Sequence, residues 1–243
     1  MEIQPNNIYN MDCLEGMKYI KDKSIDCIIC DLPYGTTQNK WDSIIPLNDL
    51  WLQYERIIKD NGAILLFSQI PFTITLAASN QSLLRYEIIW EKTSATGFLN
   101  ANRMPLKSHE NILVFYKKLP IYNPQKRNGY KPYATARGDK NTTYGNFDNT
   151  YISKSNGERY PTDIIKFKKD KEKLHPTQKP VALIEYLIKT YTNEGAVILD
   201  NCMGSGTTAI ACINTNRQYI GFELEKEYYD LSLKRIREVD CNE

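Results

Sequence analysis

The sequence predicts an α/β fold: a mainly parallel, doubly wound sheet with helices on both faces, interrupted by one basic, loop-rich insert. Three observations predict it. Apolar runs at 24–30, 63–67 and 196–199 are continuous rather than alternating, which is the pattern of strands buried on both faces. Between them lie segments whose apolar residues recur at helical spacing, so strands and helices alternate as they do in parallel sheets. Residues 117–173 show neither pattern and carry an excess of positive charge.

Each element has its own signal. Ile8, Tyr9 and Asn10 begin a short strand that ends at Met11, Asp12 and Cys13; Leu14, Met17 and Ile20 then recur at helical spacing. The strand at 24–30 runs into Asp31-Leu32-Pro33-Tyr34-Gly35, where proline and glycine stop it. Pro46 and Asn48 precede a helix with Leu50, Trp51, Tyr54, Ile57 and Ile58 on its apolar face, and Asn61-Gly62 is expected to end it before the strand at 63–67. Pro71 opens a further helix to about Ala78. Residues 86–91 and 111–116 read as two more strands, joined by a connection with Gly97 as a candidate hinge. Beyond the insert, Leu183, Ile184, Leu187, Ile188 and Tyr191 mark a helix closed near Gly195. The strand at 196–199, a helix to about Asn214, a strand at 219–223 and a helix from about Lys226 to Val239 complete the order.

At 243 residues the chain can bury one sizeable core with an inserted subdomain, and its net charge of +2 says little about partners. No apolar run approaches the roughly 20 residues that span a bilayer, so no membrane partner is expected. The first residues lack a charged-then-apolar signal pattern, and the six cysteines sit mostly in apolar contexts. Reduced thiols in a cytoplasmic protein are the expectation. Cys27 and Cys30 form a Cys-X-X-Cys, but on opposite faces of a period-two strand and with no second ligand pair, so no metal is expected.

The insert holds 14 basic and 6 acidic residues, a net +8 that leaves −6 for the rest of the chain. Tyr122, Tyr130, Tyr133, Tyr144, Phe147, Tyr151 and Tyr160 are interleaved with the basic residues. That mixture suits phosphate neutralisation together with base or sugar contacts. The competing reading is a solvated surface excursion. The candidates for nucleic-acid contact are Lys126, Arg127, Lys131, Arg137, Lys168 and Lys169, with Arg103 and Lys107 on the connection between the two strands that precede the insert. The chain thus divides into 1–116, the insert at 117–173, and 174–243.

Two stretches carry chemistry. Asp31, Leu32, Pro33 and Tyr34 place an acid, a fixed carbonyl and a ring at a strand's carboxyl end, where open α/β sheets hold ligands. An ordinary strand-to-loop turn is the bland alternative. Far away, Asp200-Asn201-Cys202-Met203-Gly204-Ser205-Gly206-Thr207 joins a strand to a helix, with Gly204 and Gly206 free of the side chains that keep backbone from a ligand. Ala209 completes Gly-X-Gly-X-X-Ala, and Glu223 ends the next strand, a spacing that also fits a dinucleotide fingerprint. A carboxylate can accept from two ribose hydroxyls in either setting. Asp200 disfavours a pyrophosphate and suits an ammonium; its local alternative is a helix-capping acceptor.

In this order, Asp-Leu-Pro-Tyr followed by Asp-X-X-X-Gly-X-Gly-Thr resembles the signature pair of the β-group S-adenosylmethionine-dependent DNA amino-methyltransferases. The resemblance covers most of the chain outside the insert. It implies a seven-stranded Rossmann-like sheet with one antiparallel member, circularly permuted motif order, S-adenosyl-L-methionine as cofactor and double-stranded DNA as partner. It makes the insert the target-recognition region and implies a homodimer for some members. It gives Asp31, Leu32, Pro33 and Tyr34 the amine-gripping and base-stacking roles, with Asp31 also beside the cofactor. His175, Thr177 and Lys179, within His-Pro-Thr-Gln-Lys-Pro, fall at the cofactor's amino-acid end, and Asp12 falls at its adenine. Asp200, Cys202, Met203, Gly204, Ser205, Gly206, Thr207 and Glu223 form the remaining cofactor set. Leu32 stands where the family commonly has proline, and Asp rather than Ser at 31 implies adenine N6 over cytosine N4. Rival readings are cytosine N4 transfer, a nicotinamide-dependent oxidoreductase, and a DNA-binding protein without catalysis.

Overall fold

The structure, a computed structural model, describes residues 2–35, 42–136, 152–170 and 178–240. His175, Thr177, Arg137 and residues 36–41 lie outside the described residues. In chain order the elements are β1 (Asn7–Asn10), α1 (Cys13–Met17), β2 (Ile25–Asp31), α2 (Leu47–Ile57), β3 (Ile58–Ser68), α3 (Phe72–Ser79), β4 (Leu84–Thr96) and β5 (Lys107–Phe115). After them come β6 (Tyr133–Ala136), β7 (Ile152–Ser155), β8 (Ile164–Phe167), α4 (Val181–Tyr191), β9 (Val197–Asp200), α5 (Thr207–Asn214), β10 (Gln218–Glu223) and α6 (Lys226–Asp240).

Eight strands form the main sheet in the order β1-β10-β9-β2-β3-β5-β4-β8. Only β5 runs against its neighbours, pairing antiparallel with both β3 and β4; the other adjacent pairs are parallel. The doubly wound architecture follows from the strands' two apolar faces. In β2, Cys27 and Ile29 face a core built with Leu183, Leu187 and Ile188 of α4 and Ala211 of α5. Ile28 and Cys30 face the opposite core, with Met17 of α1, Leu50 and Tyr54 of α2 and Leu76 of α3. The period of two thus splits Cys27 from Cys30, as expected.

Three details differ from the sequence reading. The family's seven strands are joined by β8, which lies inside the stretch read as irregular; it pairs parallel with β4, and the Trp90 indole donates to the Phe167 carbonyl at 3.1 Å. Asn61-Gly62 does not separate helix from strand. It lies within β3, where a Cβ at Gly62 would sit 2.8 Å from the Asp26 carbonyl oxygen, a close approach that only glycine allows. The connection after residue 91 is largely hairpin, since β4 continues to Thr96 and β5 starts at Lys107.

Residues 124–162 form a compact unit of their own, narrower than the 117–173 insert. Within it β6 and β7 pair antiparallel and Arg127 bridges Arg159 through backbone bonds. The Arg159 guanidinium lies 4.6 Å from the Tyr133 ring centroid and 5.2 Å from that of Tyr130. Among the described residues no helix is long and apolar enough to cross a membrane, and no group of three His, Cys, Asp or Glu side chains is placed to hold a metal ion.

Candidate active site

Asp31 closes β2 and Asp200 closes β9, and these strands are direct parallel neighbours, with Ile28 paired to Leu199. From β2 the chain proceeds through α2 to β3 on one side; from β9 it proceeds through α5 to β10 on the other. Their carboxyl ends therefore meet where the winding reverses, the crevice in which such sheets take ligands. A cavity of about 510 Å³ opens there, lined by both motif corners.

One wall is local. The Gly204 N–H donates to Glu223 Oε2 at 2.7 Å, and the Glu225 N–H donates to Oε1 at 2.9 Å. Each oxygen is oriented by one bond and keeps acceptor capacity for a hydroxyl. Burial pushes the Glu223 carboxyl above its usual range. Asp200 accepts from the Cys202 N–H at 3.1 Å and from the Thr208 hydroxyl at 2.6 Å, tying the turn to α5, and burial pushes its carboxyl up to about 6. Asp12 caps α1 through the Glu15 N–H at 3.0 Å and also lines the cavity. Cys202, Met203, Gly204, Ser205 and Thr207 line it as well. Gly206 turns instead toward α6: at φ +81° its added Cβ would lie 2.9 Å from the Ser232 Cβ, so that glycine serves helix packing.

The other wall is assembled from four segments. Asp42 accepts from the Tyr34 and Gly35 N–H groups at 2.8 and 2.9 Å and fixes the corner. The Tyr34 hydroxyl donates to Asp31 Oδ1 at 2.7 Å, and the ring stacks one face on Phe72 with centroids 5.2 Å apart. Asp31 Oδ2 accepts from Lys179, whose ammonium also lies 3.2 Å from Glu110 Oε2; Glu110 Oε1 pairs with Lys92. Lys92, Glu110 and Lys179 keep only 5, 13 and 9 % of their side-chain surface. Two acids and two lysines thus form a neutral, largely buried chain on the cavity wall. Burial pushes the Asp31 carboxyl above its usual range, with the Lys179 charge and the Tyr34 hydroxyl pulling it back. Glu110 is held low by the Lys179 and Lys92 charges against the opposing effect of burial.

The sequence reading placed Lys179 at a cofactor's amino-acid end; its partners here are Asp31 and Glu110. Of the basic candidates, Lys169 lines the cavity and Lys168 is exposed. Lys126 pairs with Glu158 at 2.7 Å, Lys107 donates to Gln69 at 3.1 Å, and Arg103, Arg127 and Lys131 are exposed. Lys92, Glu110 and Trp90 belong to no motif of the sequence. A signal existed for two of them: Lys92 shares strand parity with Ile88 and Trp90, and Glu110 with Ile112 and Val114, so each is a charge on a buried face. Asn201 accepts from the Tyr54 hydroxyl at 2.5 Å and lies 3.6 and 3.5 Å from the Cys13 and Cys202 sulfurs.

The donor set fits a nucleoside cofactor with an amino-acid end. Glu223 suits vicinal ribose hydroxyls, Asp12 and Asp200 suit amino groups, and these three acids on one wall disfavour a pyrophosphate. Fold and cavity together define an α/β enzyme of the doubly wound, nucleoside-cofactor class. Comparison with known proteins is more specific. The N6/N4 family profile, described as DNA methylase, matches residues 25–234, and the chain belongs to that DNA methyltransferase family. It is 30% identical to the type II methyltransferase M.BglII of Bacillus subtilis, over 93% of this chain and 68% of that one. It is 29% identical to M2.MboI of Moraxella bovis, over 96% and 88% respectively. The crystal structure of the M1.HpyAVI–SAM complex superposes with a TM-score of 0.65 at 28% identity, covering 94% of this chain and 98% of that one.

Proposed function

We propose that the chain transfers a methyl group from S-adenosyl-L-methionine to the exocyclic N6 of a flipped-out adenine within a specific site in double-stranded DNA. The observation that carries the proposal is the single cavity shared by the Asp31–Tyr34 corner and the Gly204–Glu223 wall on adjacent strands. The Gly204–Glu223 wall would hold the cofactor, which would supply a methyl on a positively charged sulfur.

The residues of the Asp31 wall act on the acceptor. An exocyclic amine is a weak nucleophile because its lone pair is shared with the ring. Asp31 accepts one N–H and the Leu32 carbonyl accepts the other, which localises the lone pair and aims it across the cavity. As the methyl arrives the nitrogen sheds a proton, and the Asp31 carboxylate is the adjacent base. The ring of Tyr34, which lines the cavity, is the stacking partner of the base, a contact worth roughly 1–3 kcal/mol. The reacting amine is buried inside a duplex, so the base leaves the stack to reach this pocket. Alignment and preorganised charge account for most of the acceleration. Exposed Arg103, Lys131 and Lys168 support phosphate contact.

Long-read sequencing of DNA from cells that express the chain, or its Asp31→Ala variant, reports the modified base and its sequence context together. N6-methyladenine at one motif, absent with the variant, is the expected result. Modified cytosine at that motif replaces adenine N6 with cytosine N4, and unmodified DNA under both conditions overturns the reading.

A further inference from the structure

The buried chain Asp31–Lys179–Glu110–Lys92 goes beyond what amine activation requires. A single acid and a carbonyl suffice to grip two N–H bonds, yet a desolvated lysine stands beside the acid, held in place by a second acid with its own lysine. Removing charges from water is expensive, and an apolar wall would serve packing as well or better. Lys179 carries three N–H donors. Asp31 Oδ2 takes one, and Glu110 Oε2 lies 3.2 Å away without the angle of a hydrogen bond. Donor capacity therefore remains on Lys179, a residue that lines the cavity next to the amine-gripping carboxylate and whose ammonium also lies 5.1 Å from the Phe67 ring centroid.

Adenine presents its amine beside the unprotonated ring nitrogen N1, and cytosine presents its amine beside N3. Both edges read donor then acceptor, whereas the keto bases present oxygen beside a ring N–H. A carboxylate next to an ammonium is the complement of the amino edge and opposes the keto edge on both atoms. Resting on the amino-methyltransferase reading above, we propose that Lys179 is a specificity-determining residue. It donates to the ring nitrogen next to the reacting amine, while Glu110, neutralised by Lys92, is the positioning residue that holds it there.

Duplexes carrying the methylated motif test this with adenine, 1-deazaadenine or 7-deazaadenine at the target; 3-deazacytosine serves if cytosine is the acceptor. The wild-type chain is expected to lose about 10- to 100-fold in kcat/KM when the ring nitrogen beside the amine becomes C–H, as for a hydrogen bond to a charged group. Loss of N7 is expected to change it by less than about threefold. Lys179→Met and Lys179→Gln are expected to be slower on adenine and to discriminate less than about threefold against the 1-deaza base. Cofactor affinity measured by calorimetry on the same samples establishes that each variant is folded.

Glu110→Gln tests the positioning role. With the acid that holds the ammonium neutralised, discrimination against the 1-deaza base is expected to fall to less than about threefold, and Glu110→Asp is expected to restore it in part. Wild-type discrimination in folded Glu110→Gln overturns the role given to Glu110. Undiminished discrimination in both folded Lys179 variants overturns the proposal while leaving the methyltransferase reading intact. A wild-type chain that methylates neither base overturns both.

Discussion

The two walls of the cavity are built by opposite means. On the Gly204–Glu223 wall the two carboxylates are held from within one contiguous stretch or by a single neighbouring strand, Glu223 by the Gly204 and Glu225 N–H groups and Asp200 by Cys202 and Thr208. On the Asp31 wall, residues 31, 92, 110 and 179 come from four separated segments and pair with one another. The first wall is suited to grip a fixed ligand. The second is electrostatically coupled, so a change in one member is felt by the others. Substitutions on the first wall should therefore act on cofactor binding alone, and those on the second on turnover and its pH dependence.

The largest effect is expected at Asp31. Asp31→Ala should lower methyl transfer by about 10³-fold or more while cofactor affinity stays within about threefold. Single-turnover kinetics and calorimetry read the two quantities, and a parallel fall in affinity would erase the contrast between the walls. Glu223→Gln should show the reverse. Cofactor Kd is expected to rise about 10- to 100-fold, with the rate at saturating cofactor nearly unchanged.

Gly206→Ala is expected to be less severe and purely structural. Its φ of +81° and the 2.9 Å approach to the Ser232 Cβ should reduce stability by about 1–3 kcal/mol in denaturant titrations. Ser232→Gly should relieve only the steric part of that loss. Tyr34→Phe is the finest test. It keeps the ring but removes the 2.7 Å bond that helps to hold Asp31 ionised, so the carboxylate is lost earlier as pH falls. The acid limb of the rate profile should move to higher pH, with cofactor affinity unaltered.

How far each wall could be read from sequence follows the same division. Continuous apolar runs and helical spacing disclosed the parallel strands, and the Asp-Leu-Pro-Tyr and glycine stretches each lie in one short segment. Their meeting on adjacent strands required the topology. Lys92 and Glu110 were legible only by strand parity, and only once β4 and β5 were known to extend past residues 91 and 111 toward the cavity. Gly206 shows the converse, since its place in a glycine motif disguised a packing role that depends on Ser232, a residue 26 positions away. Four-residue β8 escaped because Ile164-Ile165-Lys166-Phe167 is too short to stand out from a basic, irregular stretch.

The most direct test of the shared cavity is the affinity of a bisubstrate adduct in which a carbon linker joins adenine N6 to the cofactor in place of the sulfonium methyl. The adduct should bind more tightly than either half, and Asp31→Ala and Glu223→Gln should each weaken it, with losses that add in the double variant. An adduct no tighter than the cofactor alone and indifferent to Asp31 would contradict the account, because the two corners would then not serve one reacting pair.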